Sequence, residues 1–128
     1  MQLTDALLYK FVQRILLIRR DLMKKLQPLR IQTGWKVTFN SFIELDPQEL
    51  IDDDDENWWE FNEDLLQLEN SDKNLILDLG WYGERNLNSG FFKINLIQNF
   101  NWEKPLVEFI SKEKNEIIDK IEECMNSY

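Results

Sequence analysis

The chain has 128 residues with 24 Asp and Glu against 15 Lys and Arg, so its formal charge is −9, and it contains no histidine. The 43% of hydrophobic residues exclude a chain that stays disordered, and the length suits one acidic domain covering residues 1–128. The missing histidine removes the commonest general acid/base and metal ligand, and the single Cys124 excludes an intrachain disulfide or a multi-cysteine zinc site.

Residues 4–27 are all compatible with a helix and predict one long N-terminal helix. Thr4 is suited to cap its first turn, and Pro28 closes the run. Apolar side chains recur with the helical period and cover one face, while most basic side chains lie opposite. This face is expected to pack on a broad surface such as a sheet. Arg19 falls inside the apolar face, so we expect it to be buried and paired with a carboxylate such as Asp78; a ligand-binding role is the alternative.

The hydrophobic pattern changes at Gly34, where apolar and polar residues begin to alternate with a period of two. This pattern predicts a strand over residues 35–45. The charged residues 46–56 that follow predict a loop or a frayed helical turn. Further strand-like segments are separated by Asn- and Gly-containing turns, which predicts an antiparallel meander; these segments are 58–61, 65–69, 75–82 and 91–98.

The last part of the chain returns to a helical period. Pro105 prevents a helix from continuing through it, so residues 106–110 are predicted to be extended, and Ser111 is suited to cap a final helix over residues 112–125. The order helix, strands, helix is typical of an α+β fold. We therefore predict an antiparallel β-sheet of four or more strands, packed by a long N-terminal helix and a C-terminal helix.

The expected compartment is the cytoplasm. Residues 1–8 carry no Lys or Arg and include Asp5, which does not fit the basic start of a secretory signal. The most apolar run, residues 15–18, is far shorter than the roughly 20 residues of a membrane span. A single cysteine suits a reducing compartment. We expect no membrane partner.

Charge is distributed unevenly along the chain. Residues 1–34 contain seven basic and two acidic residues, a balance of +5, so the remainder carries −14. Residues 44–69 contain twelve acids and no base. One interpretation is a solvated segment that maintains solubility and is neutralised by the chain's own basic helix. The other is a docking surface for a cationic partner.

Two adjacent tryptophans favour the docking surface. They are interleaved with acidic residues, and interface hot spots favour Trp within a polar rim. Neighbouring residues of a strand point to opposite faces, so one of the two is expected to be exposed. The predicted partner-binding residues are Asp52, Asp53, Asp54, Asp55, Glu56, Trp58, Trp59, Glu60, Glu63 and Asp64.

Catalytic and metal motifs are weak. Asp52, Asp54, Glu56 and Glu63 reproduce part of a calcium-loop spacing, but Asn57 stands where that loop needs glycine. Carboxylates that act as acid and base need a cleft that raises one pKa, whereas this run is polar. The net charge of −9 also disfavours direct binding to nucleic acid. We expect no enzyme, no metal and no cofactor.

The second half of the chain carries a family resemblance, spread over roughly residues 35–125. Its elements are Leu77-Asp78-Leu79-Gly80-Trp81-Tyr82, a polar loop to Gly90-Phe91-Phe92, then Trp102, Pro105-Leu106, Phe109, Ser111 and Ile121-Glu122. The order of these residues resembles that in small immunity proteins of bacterial polymorphic-toxin and contact-dependent growth-inhibition systems. The resemblance implies a cytoplasmic, non-catalytic monomer that forms a heterodimer with the C-terminal domain of one cognate toxin, often a nuclease, and neutralises it.

Two other classes remain open. An acidic adaptor or scaffold domain would bind another basic protein through the same residues, and a small enzyme would work through carboxylates. An immunity gene is expected to lie directly downstream of a large toxin gene, and this position distinguishes an immunity protein from an acidic adaptor.

Overall fold

The computed structural model describes residues 4–22 and 24–128, with side chains for residues 4–15 and 24–128. It contains a five-stranded antiparallel sheet with a helix on either side of it in the sequence, which confirms the predicted α+β fold. The helices are α1 (Asp5–Leu22) and α2 (Lys114–Ser127); the strands are β1 (Lys36–Asn40), β2 (Leu66–Asn70), β3 (Leu75–Gly83), β4 (Gly90–Gln98) and β5 (Val107–Ser111); short 3-10 helices span Pro47–Glu49 and Glu56–Glu60.

The sheet is a meander in which the strands pair in sequence order, β1-β2-β3-β4-β5, each antiparallel to the next. Strands β2, β3 and β4 lie within a residue or two of the predicted segments. The predicted first strand is too long, because the pairing of β1 with β2 is irregular between Val37 and Phe39 and the strand ends at Asn40. The predicted edge strand at residues 58–61 is wrong, since Glu56–Glu60 forms a 3-10 helix.

One face of the sheet forms the hydrophobic core. Cross-strand partners project to the same face, and one row of them is fully buried: Leu66, Leu79 and Ile94 are 0–1% exposed. Helix α2 covers this face with Ile117, Ile121, Cys124 and Met125. Burial raises the pKa of the Cys124 thiol, which fits a core residue rather than a nucleophile.

Helix α2 starts two residues later than predicted, because Ser111 is the last residue of β5 rather than the helix cap. The residue at the cap position is Glu113, whose side chain makes no capping hydrogen bond. Ser111 still organises the start of the helix. Its hydroxyl accepts a hydrogen bond from the Glu113 backbone N–H (2.9 Å) and donates one to the Glu116 carboxylate (2.8 Å).

Helix α1 is shorter than predicted. Thr4 caps it as expected, since its hydroxyl accepts a hydrogen bond from the Leu7 backbone N–H (3.3 Å). The helix ends at Leu22, and residues 25–27 are extended and pair with residues 42–44. In this pairing the Glu44 N–H donates to the Lys25 carbonyl and the Gln27 N–H donates to the Phe42 carbonyl, both at 2.7 Å.

The predicted packing of this helix on the sheet is wrong for its first three turns. All described side chains of α1 are exposed, including the large apolar side chains of Leu7, Leu8, Phe11, Val12 and Ile15, which are 44–58% exposed. The helical period identifies an apolar face but does not reveal that its described part, residues 7–15, is exposed. The predicted burial of Arg19 concerns a side chain that lies outside the described residues. Among the described helices, none is long and apolar enough to span a membrane.

Candidate partner-binding surface

The acidic residues 52–56 lie on the surface in a folded loop rather than an extended one. The Asp52 carboxylate accepts a hydrogen bond from the Asp54 backbone N–H (3.0 Å), and the Asp55 carboxylate caps the 3-10 helix by accepting one from the Asn57 N–H (2.9 Å). The Trp58 indole N–H donates to the Asp52 carbonyl (3.1 Å), which joins the loop to the core. These local bonds are typical of Asp at turns and helix starts, and they hold the carboxylates of Asp52 and Asp55 in fixed positions.

The two predicted tryptophans have opposite environments. Trp58 is 2% exposed and packs among the rings of Phe61 and Trp81, with centroids 5.3 and 5.7 Å away. Trp59 is 71% exposed. The Arg85 guanidinium lies 4.7 Å from the centroid of the Trp59 ring. Trp58 is therefore a core residue, and Trp59 is the available apolar anchor.

The other predicted acids are distributed around this anchor. Asp52, Asp53, Asp54 and Glu56 are exposed and Asp55 is half-buried, and none of these five forms a salt bridge among the residues that the structure describes. Glu60 is half-buried and pairs with Lys24. The chain's basic N-terminal region thus neutralises one acid at the end of the surface, and no basic side chain that the structure describes forms a salt bridge with residues 52–56. We call the exposed side chains of residues 52–60 the acidic surface.

Glu63 and Asp64 lie on the face of the sheet opposite α2, against β3. The Trp81 N–H donates to the Asn62 carbonyl (2.8 Å), and the Leu65 N–H donates to the Leu79 carbonyl (3.0 Å). Between these two bonds the backbone of Glu63 passes over Gly80, where an added Cβ would lie 2.2 Å from the Glu63 carbonyl oxygen. Only glycine permits this close approach of two backbones.

The approach at Gly80 brings together titratable groups that the sequence separates. Burial raises the pKa of the half-buried Asp78 carboxyl to about 6, and the nearby Asp64 carboxylate adds to the rise. Burial also raises the pKa of the Tyr82 hydroxyl, with further contributions from Asp78, Glu63 and Asp64. This part of the molecule therefore disfavours additional negative charge and would be stabilised by a cation.

Two grooves meet at Asp64. The larger has a volume of about 680 Å³ and is lined by Phe61, Asn62, Glu63, Asp64, Trp81, Gly83, Glu84 and Arg85. The smaller has a volume of about 260 Å³ and is lined by Phe39, Asp64, Leu66, Gln67 and Asp78. The larger groove reaches Arg85, which also contacts Trp59, so it continues from the acidic surface.

A metal ion needs several ligating side chains that converge on one point. Among the residues that the structure describes, no group of three or more His, Cys, Asp or Glu side chains is arranged to hold an ion. The acids of the partial calcium-loop spacing do not lie on one loop, since Glu56 begins a 3-10 helix and the backbone of Glu63 lies against Gly80 of β3.

Sequence reasoning missed several residues that complete this region. The sequence pattern predicts Asp78 only as a partner for Arg19, and Tyr82, Glu84, Arg85 and Phe39 are not among the predicted site residues. A signal was present, because the two-residue period places Asp78, Gly80 and Tyr82 on one face of β3. No local pattern in the sequence indicates that Glu63 and Asp64 lie close to Asp78 and Gly80 of β3.

Comparisons with known proteins return no matching family model, no matching curated protein and no matching solved structure.

Proposed function

We propose that this protein is an immunity protein that binds and neutralises a cognate toxin domain, a nuclease, through the acidic surface. The observation that carries this proposal is the group of carboxylates at residues 52–56, which form no salt bridge with a described side chain, beside the exposed Trp59. A nuclease presents a basic cleft to the phosphates of its substrate. Carboxylates fixed on a protein surface can occupy such a cleft and accelerate association by long-range attraction.

The environment of Trp59 supports its role as an anchor. The guanidinium that lies over its ring belongs to Arg85, whose Nε–H donates to the Phe61 carbonyl (3.1 Å). An anchor that is already held in place loses less conformational entropy on binding than a free side chain does. The rim of acids around a large aromatic side chain matches the usual composition of a binding hot spot.

The neighbouring groove extends the surface that a partner could contact. Its lining contains three acids, Glu63, Asp64 and Glu84, and one base, Arg85, so a basic loop of the partner would meet a net negative charge there. We place this encounter in the cytoplasm, where a nuclease toxin would reach nucleic acid. The protein then acts as one member of a heterodimer and performs no catalysis of its own.

The direct test uses the toxin gene expected immediately upstream. Its purified C-terminal domain is mixed with this protein, and nuclease activity and binding are measured together by titration. We expect activity to be lost at one equivalent of this protein. A basic partner that binds the same surface but has no toxic activity would instead assign the chain to the class of acidic adaptors.

Variants show whether the acidic surface is responsible. The test variant replaces Asp52, Asp53, Asp54 and Asp55 by Asn. A matched control changes the net charge by the same amount at exposed acids elsewhere, Asp72, Glu103, Glu113 and Asp119, using Asn or Gln. We expect the test variant to lose affinity for the toxin domain and the control to retain most of it. Equal affinities for the two variants would place the interface elsewhere.

A further inference from the structure

A narrow groove lies on the sheet face opposite α2. It has a volume of about 260 Å³ and is lined by Phe39, Asp64, Leu66, Gln67 and Asp78. Three of these residues form one cross-strand row, because Phe39 lies directly opposite Gln67, which in turn lies directly opposite Asp78. The aromatic ring and the carboxylate are therefore at the two sides of the groove, with Gln67 between them. We call it the Asp78 groove.

The carboxylate of Asp78 has no cationic partner in the part of the chain that the structure describes, since none of the salt bridges there includes it. Lys93 lies on the same face, but its ammonium is engaged elsewhere, 3.6 Å from the Glu108 carboxylate and 5.2 Å from the centroid of the Tyr82 ring. Asp64 contributes a second carboxylate to the groove. The Asp78 groove therefore holds negative charge that an added cation would stabilise.

The size and lining of the Asp78 groove indicate which cation fits it. Pockets for small molecules usually have volumes of roughly 300–1,000 Å³, so this smaller groove suits a single side chain presented by a protein. The Phe39 ring is 46% exposed and can accept a cation against its face. A guanidinium has a flat face that stacks on an aromatic ring and a fork of donors that matches a carboxylate, whereas an ammonium has no flat face. An arginine side chain therefore matches both sides of the groove.

We propose that the Asp78 groove receives one arginine side chain of the toxin domain, with its guanidinium between the Phe39 ring and the carboxylates of Asp78 and Asp64. This inference rests on the proposed function, because it names a contact that the toxin domain makes beside the acidic surface. One partner can reach both regions, since the larger groove continues from Asp64 to Arg85, which contacts Trp59. The acidic surface attracts the partner over a distance, and the groove selects the partner that carries an arginine at the matching position.

The first experiment tests the groove in the absence of the toxin domain. Methylguanidinium chloride is titrated into the full-length protein and followed by NMR of the backbone amides, with sodium chloride at equal ionic strength as the reference. We expect saturable shifts at Phe39, Gln67 and Asp78 in the millimolar range, which Asp78→Asn abolishes. The control is Glu108→Gln, which removes an exposed carboxylate of the same face outside the groove and should leave the shifts intact. If the parent shows no saturable shift but an Arg19→Gln variant does, the chain's own arginine fills the groove and the proposal is wrong.

The second experiment measures the affinity for the purified toxin domain at pH 7.5. Asp78→Asn should weaken binding at least about tenfold, because the guanidinium would lose its charged partner. Phe39→Leu should weaken it roughly threefold, because the aromatic face is lost while the apolar contact remains. Glu108→Gln should change it by less than about twofold. Among single arginine-to-lysine substitutions in the toxin domain, one should weaken binding to the parent but have little effect on binding to Asp78→Asn.

The pH dependence of this affinity distinguishes a contact with Asp78 from a general loss of negative charge. With a pKa of about 6, about nine in ten Asp78 side chains carry a proton at pH 5, and this proton must leave before a cation binds. The parent should therefore bind about tenfold more weakly at pH 5 than at pH 7.5, and Asp78→Asn should lack this difference. Parent and variant share the other charged or titratable side chains of this face and its grooves, which are Lys36, Glu63, Asp64, Glu69, Tyr82, Glu84, Arg85, Lys93 and Glu108.

Failure of this inference and failure of the proposed function give different results. A parent protein that neither binds nor neutralises the toxin domain contradicts the proposed function itself. If the parent neutralises the toxin domain but Asp78→Asn and Phe39→Leu bind it as tightly as Glu108→Gln does, only the groove contact is wrong. A loss of affinity confined to the substitutions at residues 52–55 would then assign the whole contact to the acidic surface.

Discussion

Replacing Asp78 by Asn tests the electrostatics of the sheet face opposite α2 most directly. The pKa of this carboxyl is raised from 3.8 to about 6, first by burial and then by Asp64. At neutral pH the carboxyl of Asp78 is ionised in the folded chain, but its surroundings stabilise this charge less than water does. Asn has the same shape without the charge, so the substitution should stabilise the protein above pH 6.

The size of the effect follows from the pKa difference between the folded and unfolded chains. A rise of about 2.2 pKa units corresponds to about 3 kcal/mol. Asp78 is only half-buried, and screening by solvent reduces this value to about 1.5 kcal/mol at pH 7.5. Because the folded pKa lies above the unfolded one, the ionisation penalty is absent below pH 3.8, grows between pH 3.8 and 6 and is constant above. The stabilisation by Asn should thus fall below about 0.5 kcal/mol near pH 4.

The assay is urea unfolding followed by tryptophan fluorescence between pH 4 and 8. The control is Asp72→Asn, which removes one charge from an exposed position in the turn between β2 and β3. Its free energy of unfolding should change little at any pH. The reasoning is refuted if Asp78→Asn leaves the free energy of unfolding at pH 7.5 unchanged or lowers it, or if its effect is the same at pH 4 and pH 8.

Three further changes have defined expectations. Gly80→Ala should lower the free energy of unfolding by about 1–3 kcal/mol in urea titrations, because its Cβ would meet the backbone of Glu63. Trp58→Ala should lower it by about 3–5 kcal/mol, whereas Trp59→Ala should change it by less than about 1 kcal/mol. In stopped-flow measurements with the toxin domain, Trp59→Ala should raise the dissociation rate roughly 30-fold, equivalent to about 2 kcal/mol. The four Asn substitutions at residues 52–55 should slow association about tenfold in low salt and have little effect in high salt.

Each of these expectations has a result that contradicts it. Unchanged stability of the Gly80 variant would mean that the contact with Glu63 is loose. Equal losses of stability at Trp58 and Trp59 would contradict their opposite burial. If the variant at residues 52–55 associates with the toxin domain as fast as the parent at every salt concentration, this acidic run serves only solubility.

The sheet was predictable because its signal is local. Alternating Leu and Ile residues in β2, β3 and β4 repeat the two-residue period that one buried face requires, and each strand is bounded by residues that form turns. The error at residues 58–61 has a local explanation. Aromatic residues favour strands, but Asp55 stands at a helix cap and its hydrogen bond to Asn57 starts a 3-10 helix.

The exposure of the described part of α1 and the composition of the candidate site were not predictable in the same way. The helical period identifies an apolar face but contains no information about which surface covers it. The grouping of Asp64, Asp78 and Tyr82 depends on a backbone approach between residues that are 17 positions apart, Glu63 and Gly80. A single sequence shows that Gly80 interrupts an apolar strand but does not show which segment needs the space.

The raised pKa of Asp78 also bears on the proposed function, because a basic toxin domain bound along the grooves that meet at Asp64 would bring a cation close to this carboxylate. In that case the stabilisation by Asn at pH 7.5 should shrink when the toxin domain is added. If the toxin domain contacts only the acidic surface at residues 52–60, the stabilisation by Asn should be the same with and without it. Urea unfolding of the parent and the Asp78→Asn variant, each with and without the toxin domain, distinguishes the two arrangements.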